Sequence, residues 1–296
     1  MRQQSALGLA AAVVICLAAV GFVAGLITDA NAGDKKYKLE YKMKKGSGFE
    51  MATTTERKSQ REMMGNEIKS TTTDMAKYVV NVIEEKGGMA TASLTYKDRS
   101  HKSDDPQVQL DPDFSALLGQ KARFVISERG ILSGFDGFAE LPELDIAGGQ
   151  ARRGESQYIN ELREFFIQLP EEKIGIGDTW SYTDEFTEPV EGGTAKIVIA
   201  YTYTLAEAAE REGFDCVRFD GEYTTTVTGT GTAQGMEYTL KLDGTGTETV
   251  WFAHKRGMLV ESESISFVEG GVTAEMVGFE MPMRNDYKST RTYTLE

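Results

Sequence analysis

Lys196-Ile197-Val198-Ile199-Ala200-Tyr201-Thr202-Tyr203 is dense in β-branched and aromatic side chains, with no Gly, Pro, Asn or Asp to break it. Such a run fits a pleated, half-buried strand better than a helix. Lys77-Tyr78-Val79-Val80-Asn81-Val82-Ile83, Glu237-Tyr238-Thr239-Leu240-Lys241-Leu242 and Arg291-Thr292-Tyr293-Thr294-Leu295 read the same way. Thr supplies 28 residues beyond position 32, and much of the chain alternates Thr or charge with aliphatic or aromatic side chains. Gly-containing breaks between the runs predict antiparallel hairpins, and about twelve strands, several long enough to bend.

Two segments depart from this period. Tyr158, Ile159, Leu162, Phe165, Phe166 and Leu169 recur at helical spacing, which predicts an amphipathic helix over 155–168. A shorter helix is expected from Asp111, with Pro112 in its first turn, to Gly119 after Leu117-Leu118. Both need an apolar surface to cover, and the open face of a curved sheet supplies one. Gly134 to Gly154 reads as a linker.

Turn residues suggest a weak internal duplication. Glu85-Lys86-Gly87-Gly88 and Ser127-Glu128-Arg129-Gly130-Ile131-Leu132 punctuate the first half; Glu210-Arg211-Glu212-Gly213 and His254-Lys255-Arg256-Gly257-Met258-Leu259 punctuate the second. Gly88 precedes Gly130 by 42 residues and Gly213 precedes Gly257 by 44. The expected fold class is therefore mainly β: curved antiparallel sheets, as two related half-barrel or sandwich-like units, with one amphipathic helix and one short helix packed on them. The division is a leader over 1–32, a first β unit over 34–136, linker and amphipathic helix over 137–169, and a second β unit over 170–296.

The leader stands apart. Arg2 precedes an uncharged run from Ala6 to Ile27, and Ala30-Asn31-Ala32 before Gly33 is the small-residue pattern a signal peptidase accepts. Cleavage after Ala32 and export to the periplasm or cell surface are expected. An uncut anchor is the alternative, because about 20 apolar residues suffice to span hydrocarbon. The leader would then be the chain's membrane contact.

With 46 acidic against 32 basic side chains, the net charge is −14, which disfavours a nucleic-acid partner. Two His and two Cys exclude most metal cages of those ligands, and no cofactor is implied. Cys216, the one cysteine beyond the leader, falls in Phe214-Asp215-Cys216-Val217-Arg218-Phe219, where alternation predicts a buried structural thiol. Gly229-Thr230-Gly231-Thr232 and Gly244-Thr245-Gly246-Thr247 lack the Lys-Ser/Thr of a phosphate loop and read as strand glycines under close backbone approach. Asp104, Asp105, Asp111 and Asp113 lack calcium-loop spacing. His101 and His254, the pairs Asp184-Glu185 and Glu261/Glu263, and the methionines of Met63-Met64 and Met281-Pro282-Met283 carry no catalytic or ligand pattern. In Gly177-Asp178-Thr179-Trp180 a turn delivers a Trp into a strand, where it packs or stacks on a ligand.

Lys173-Ile174-Gly175-Ile176-Gly177-Asp178-Thr179-Trp180, with Leu117-Leu118-Gly119 and Phe124-Val125-Ile126-Ser127-Glu128-Arg129-Gly130 before it, resembles an uncharacterised family of exported bacterial β-rich proteins, a domain of unknown function. That resemblance covers about residues 35 to 295 and brings no catalytic residues. More distantly, curved sheets with helices on the inner face look like the half-barrels of LolA-type lipoprotein carriers, which implies an apolar surface for acyl chains. The combined expectation is a non-enzymatic exported protein that holds an apolar ligand, a lipid or acyl chain, or an envelope partner. Trp180, Phe165 and Phe166 are its candidate ligand contacts. A structural or adhesive envelope protein with no cavity is the alternative, and an exported hydrolase a third reading.

Overall fold

A computed structural model describes residues 35–63, 66–105, 112–145, 152–233, 235–274 and 279–295. Ala30, Ala32, Gly33, Met64 and Asp111 lie outside the described residues. The strands are β1 (Gly48–Met63), β2 (Asn66–Lys86), β3 (Met89–Ser103), β4 (Lys121–Ser127), β5 (Leu132–Asp136), β6 (Leu144–Asp145) and β7 (Arg152–Arg153), then, after helix α1 (Glu155–Arg163), β8 (Thr179–Val190), β9 (Gly193–Arg211), β10 (Phe214–Ala233), β11 (Met236–Ala253), β12 (Met258–Ala274) and β13 (Phe279–Leu295). Eleven of them form one open antiparallel sheet in the order β5-β4-β3-β2-β1-β13-β12-β11-β10-β9-β8, and β6 pairs with β7 in a separate ribbon. The chain meanders outward from β1 to the β5 edge, crosses by way of α1, and meanders back from the β8 edge until β13 meets β1. The strands of 34–136 and those of 170–296 thus belong to a single continuous sheet.

The paired turn motifs adopt matching geometry. Gly87-Gly88 between β2 and β3, and Glu212-Gly213 between β9 and β10, are two-residue connections with positive φ at both positions, the turn that follows strand twist. Gly130 and Gly257, at the β4–β5 and β11–β12 turns, both receive an N-terminal segment over 37–43. There Tyr37, Leu39, Tyr41 and Met43 are buried in alternation. Tyr41 N–H donates to the Glu128 carbonyl at 2.7 Å and Lys42 N–H to the Gly257 carbonyl at 3.0 Å. A Cβ on Gly130 would lie 2.3 Å from the Ile167 carbonyl oxygen, and one on Gly257 2.5 Å from that of Glu40.

The core occupies one end of the inner face. Tyr78, Tyr96, Phe124, Phe219 and Phe252 of the sheet meet Tyr158 and Phe165 of the crossing segment, all essentially inaccessible. Edge-on ring contacts join them, with centroids 5.2 Å apart for Tyr78–Tyr96 and Tyr78–Phe165 and 5.7 Å for Tyr96–Tyr158. Bulges at Arg218/Phe219 and Trp251/Phe252 bend the strands at this end.

Both helix expectations need correction, the amphipathic one in extent and the shorter one in kind. The amphipathic helix ends at Arg163, because Phe165 is drawn to Tyr78 and Phe166 to Tyr41 and Phe124, and because Ile167 N–H donates to the Tyr41 hydroxyl at 3.1 Å instead of to a preceding turn. The shorter segment closes as tight turns, with Leu117 N–H to Phe114 and Gln120 N–H to Leu117 carbonyls.

Candidate functional site

Cross-strand register lets the inner face be read as rows running across the sheet. One row is Trp180, Tyr203, Gly221, Glu248, Ser264, Ser289, Thr55 and Asp74; the next is Tyr182, Tyr201, Tyr223, Gly246, Ser266, Tyr287, Arg57 and Thr72. Then come Asp184, Ile199, Thr225, Gly244, Val268 and Asn285, and after them Phe186, Ile197, Val227, Leu242, Gly270 and Met283. From the packed end outward, the β8–β12 side therefore passes from tyrosine and charge to aliphatic side chains. The β13–β2 side stays rich in hydroxyl, amide and guanidinium groups.

Strand glycines make the tyrosines lie down. A Cβ on Gly221 would fall 2.6 Å from the Tyr203 ring, and one on Gly246 2.2 Å from that of Tyr223. Gly231 serves Tyr238 in the same way, and Gly244 the Val268 side chain, so the Gly-Thr stretches do mark close approach. The flattened rings form a ladder, with Trp180 stacked on Tyr203 at 5.2 Å and Tyr182 on Tyr201 at 4.9 Å. What remains above them is a trough of about 520 Å³, closed at one end by Phe165, Phe166 and Ile167 and flanked by Asn160 and Arg163 of α1.

Beside these apolar side chains the closed end carries a network of paired charges. Tyr203 donates its hydroxyl to Glu248 at 2.6 Å, and Arg291 bridges Glu248 and Glu164 at 3.1 Å each. Arg99 pairs with Glu161 of α1 and reaches the Tyr78 hydroxyl. Burial, followed by the nearby Glu248 charge, raises the pKa of Tyr203 well above its ordinary value. Burial likewise raises Tyr182, Tyr201 and Tyr223, so the ladder stays neutral through physiological pH. At the open end Phe186, Ile197, Ile199, Val227, Leu242 and Val268 are only half-buried. Apolar rows face solvent beside Asp184, a carboxylate with no ion pair among the described residues, whose pKa burial raises.

The residues singled out from sequence distribute unevenly. Phe165 and Phe166 close the trough while belonging to the core. Trp180 lies beneath the ladder, its indole N–H donating to the Gln168 carbonyl at 2.9 Å and its edge meeting Phe219, and it does not line the trough. Cys216 is buried on the outer face with Ala253 and Val260. His101 binds Asp74, while His254 packs edge-on with Tyr37 and is held below its ordinary pKa by burial. Asp105 forms a two-point pair with Arg61; Glu185 pairs with Lys196, Glu261 with Arg211 and Glu263 with Lys288. Sequence reasoning missed Tyr182, Tyr201, Tyr203, Tyr223, Glu248 and Arg291. The local signal was the pairing of Tyr201-x-Tyr203 with Gly221-x-Tyr223 and Gly244-x-Gly246 on strands that turned out to be neighbours.

No protein-family model matches this chain, and no curated protein matches it. Solved structures give distant likenesses. A lipovitellin structure is 12% identical with a TM-score of 0.41, over 86% of this chain and 25% of that one, so this chain spans a quarter of its length. A Bacteroides fragilis protein described as exported, with a YmcC-like fold, is 9% identical at 0.27, over 87% of this chain and 99% of that one. A DUF1329 family protein from Desulfovibrio piger is 7% identical at 0.14, over 82% and 83%. Scores this low carry no argument about function, and the likeness to LolA-type carriers finds no support among these neighbours. No helix among the described residues is long and apolar enough to cross a membrane.

Proposed function

We propose that this is a non-enzymatic exported protein that holds an apolar ligand, a lipid or acyl chain, in the trough of its curved sheet. The supporting observation is the half-buried aliphatic wall. Phe186, Ile197, Ile199, Val227, Leu242 and Val268 share the inner face, yet nothing among the described residues completes their burial. Covering the remaining apolar area of three such side chains contributes on the order of 2–4 kcal/mol, which a chain molecule collects along the rows.

The test is displacement of a fluorescent fatty acyl probe by extracted envelope lipids, together with native mass spectrometry of protein recovered from its own envelope fraction. A stoichiometric lipid adduct, and weakened probe binding by Ile199→Gln and Val227→Gln with an unchanged circular dichroism spectrum, are expected. A clean apo mass and probe binding indifferent to both substitutions overturn the reading. Phe165→Ala and Phe166→Ala are poorer tests, because both rings are core and each truncation costs about 3–5 kcal/mol of stability.

One observation favours the structural or adhesive reading as well. Thr224, Thr226, Thr228 and Thr230 of β10, with Thr245, Thr247 and Thr249 of β11, present an exposed hydroxyl lattice on the outer face. A pull-down on immobilised envelope glycans, compared before and after substitution of this lattice by serine and alanine, would register such a role.

A further inference from the structure

Asp184 stands between Tyr182 and Phe186 along β8 and opposite Ile199 on β9. Among the described residues its carboxylate makes no hydrogen bond and no ion pair, although the Arg163 charge acts on it. Arg163, the last residue of α1, lines the same trough. Its guanidinium lies over the Phe135 ring at 5.5 Å, its Nε is buried without a hydrogen-bond partner, and it forms no ion pair among the described residues. The other charges on this wall are matched: Arg99 with Glu161, Arg291 with Glu164 and Glu248, Asp74 with His101, and Glu188 with the Asn160 amide. Among the described residues that line the trough, one anion and one cation are thus left over, in range of each other's field but not in contact, at the edge of the aliphatic rows; Arg57, in the tyrosine row, is also without an ion pair but does not line the trough.

We propose that the trough binds a single-chain zwitterionic lipid of the lysophospholipid class, with its ammonium at Asp184, its phosphate at Arg163 and its acyl chain along Ile199, Ile197, Val227 and Leu242. This rests on the trough being a ligand site. Charges left partly buried and unpaired are unfavourable until a ligand supplies both complements. A net charge of −14 works against an anionic amphiphile, and a head of zero net charge avoids that field. The volume of about 520 Å³ holds about seventeen groups the size of a water molecule, at roughly 30 Å³ each, which favours a lipid with one chain over a lipid with two.

The experiment is titration of the delipidated full chain with palmitoyl-lysophosphatidylethanolamine, palmitate and monopalmitoylglycerol, each below its aggregation limit, repeated on Asp184→Asn and Arg163→Gln. The wild type is expected to prefer the zwitterion by about tenfold over each competitor, and each substitution to abolish that preference. If all three bind alike, or palmitate binds tightest, while Ile199→Gln still weakens them all, the headgroup assignment falls and the apolar trough stands. If none of the three binds the wild type, both readings fall. The headgroup comparison on the wild type decides the proposal even if a variant fails to fold.

Discussion

A carboxylate held among isoleucine, phenylalanine and tyrosine costs the fold something, and the sign of that cost can be worked out. Burial raises the Asp184 pKa, so the folded chain holds this proton more firmly than the unfolded chain does. The stability tied to the protonated acid is fully present below the ordinary carboxylate pKa and is lost as pH rises through the folded value. Asp184→Asn is therefore expected to raise Tm near pH 7 and to leave it unchanged near about pH 3, read by scanning calorimetry across that range. A variant no more stable than the wild type at neutral pH contradicts the assignment. The chemistry of Asp184 was out of reach from sequence, because Asp184-Glu185 is an ordinary acidic pair there. Only cross-strand pairing shows that Glu185 meets Lys196 on the outer face while Asp184 stands opposite Ile199, with no ion pair among the described residues. The tyrosine ladder was hidden for the same reason. Each glycine under a ring belongs to a neighbouring strand, at a register that no local pattern encodes.

Among the elements, the ones with internal periodicity were the most legible. Alternation marked the strands, and the helical stripe marked α1. Its last turn was misread because Phe165 and Phe166 fit the stripe, yet fill two different gaps between sheet and N-terminal segment. The two Arg-Gly turns, expected from sequence to mark a repeat, have a shared duty that sequence could not disclose, since both accept the segment 37–43 against a bare glycine. Gly130→Ala and Gly257→Ala each place a Cβ at positive φ against a carbonyl oxygen, and each is expected to cost about 2–4 kcal/mol in urea unfolding. Gly46→Ala, also at positive φ but in open space, supplies the comparison, with strain alone of about 1–2 kcal/mol. Equal losses at Gly46 and Gly130 would show that the N-terminal segment does not press on the turn.

For the molecule as a whole, fold class and a chain-long β architecture could be read in advance, whereas the union of the two halves could not. Pairing of Phe49 with Leu295 joins the first strand of the sheet to the last, and nothing near either residue announces the other. With β1–β13 hydrogen-bonded along both strands and Phe165 wedged between Tyr78 and Tyr293, the halves share one core. Urea unfolding followed by tryptophan fluorescence and by far-ultraviolet circular dichroism should therefore give coincident, single transitions. Two separated transitions would mean that the halves fold independently.

The place of that junction has a consequence for how the protein is made. A chain emerging from its N-terminus completes β1 early and its partner β13 last, so the middle of the finished sheet is the final part to zip. Until then β1 waits with one side unpaired, which is how strands recruit the wrong neighbours. Glu56, Arg57, Lys58, Arg61 and Glu62 on β1, and Arg284, Asp286, Lys288 and Arg291 on β13, make these strands charged on both faces. Strands that end their lives at the centre of the sheet are thus written like borders, suited to a long interval in water before they meet.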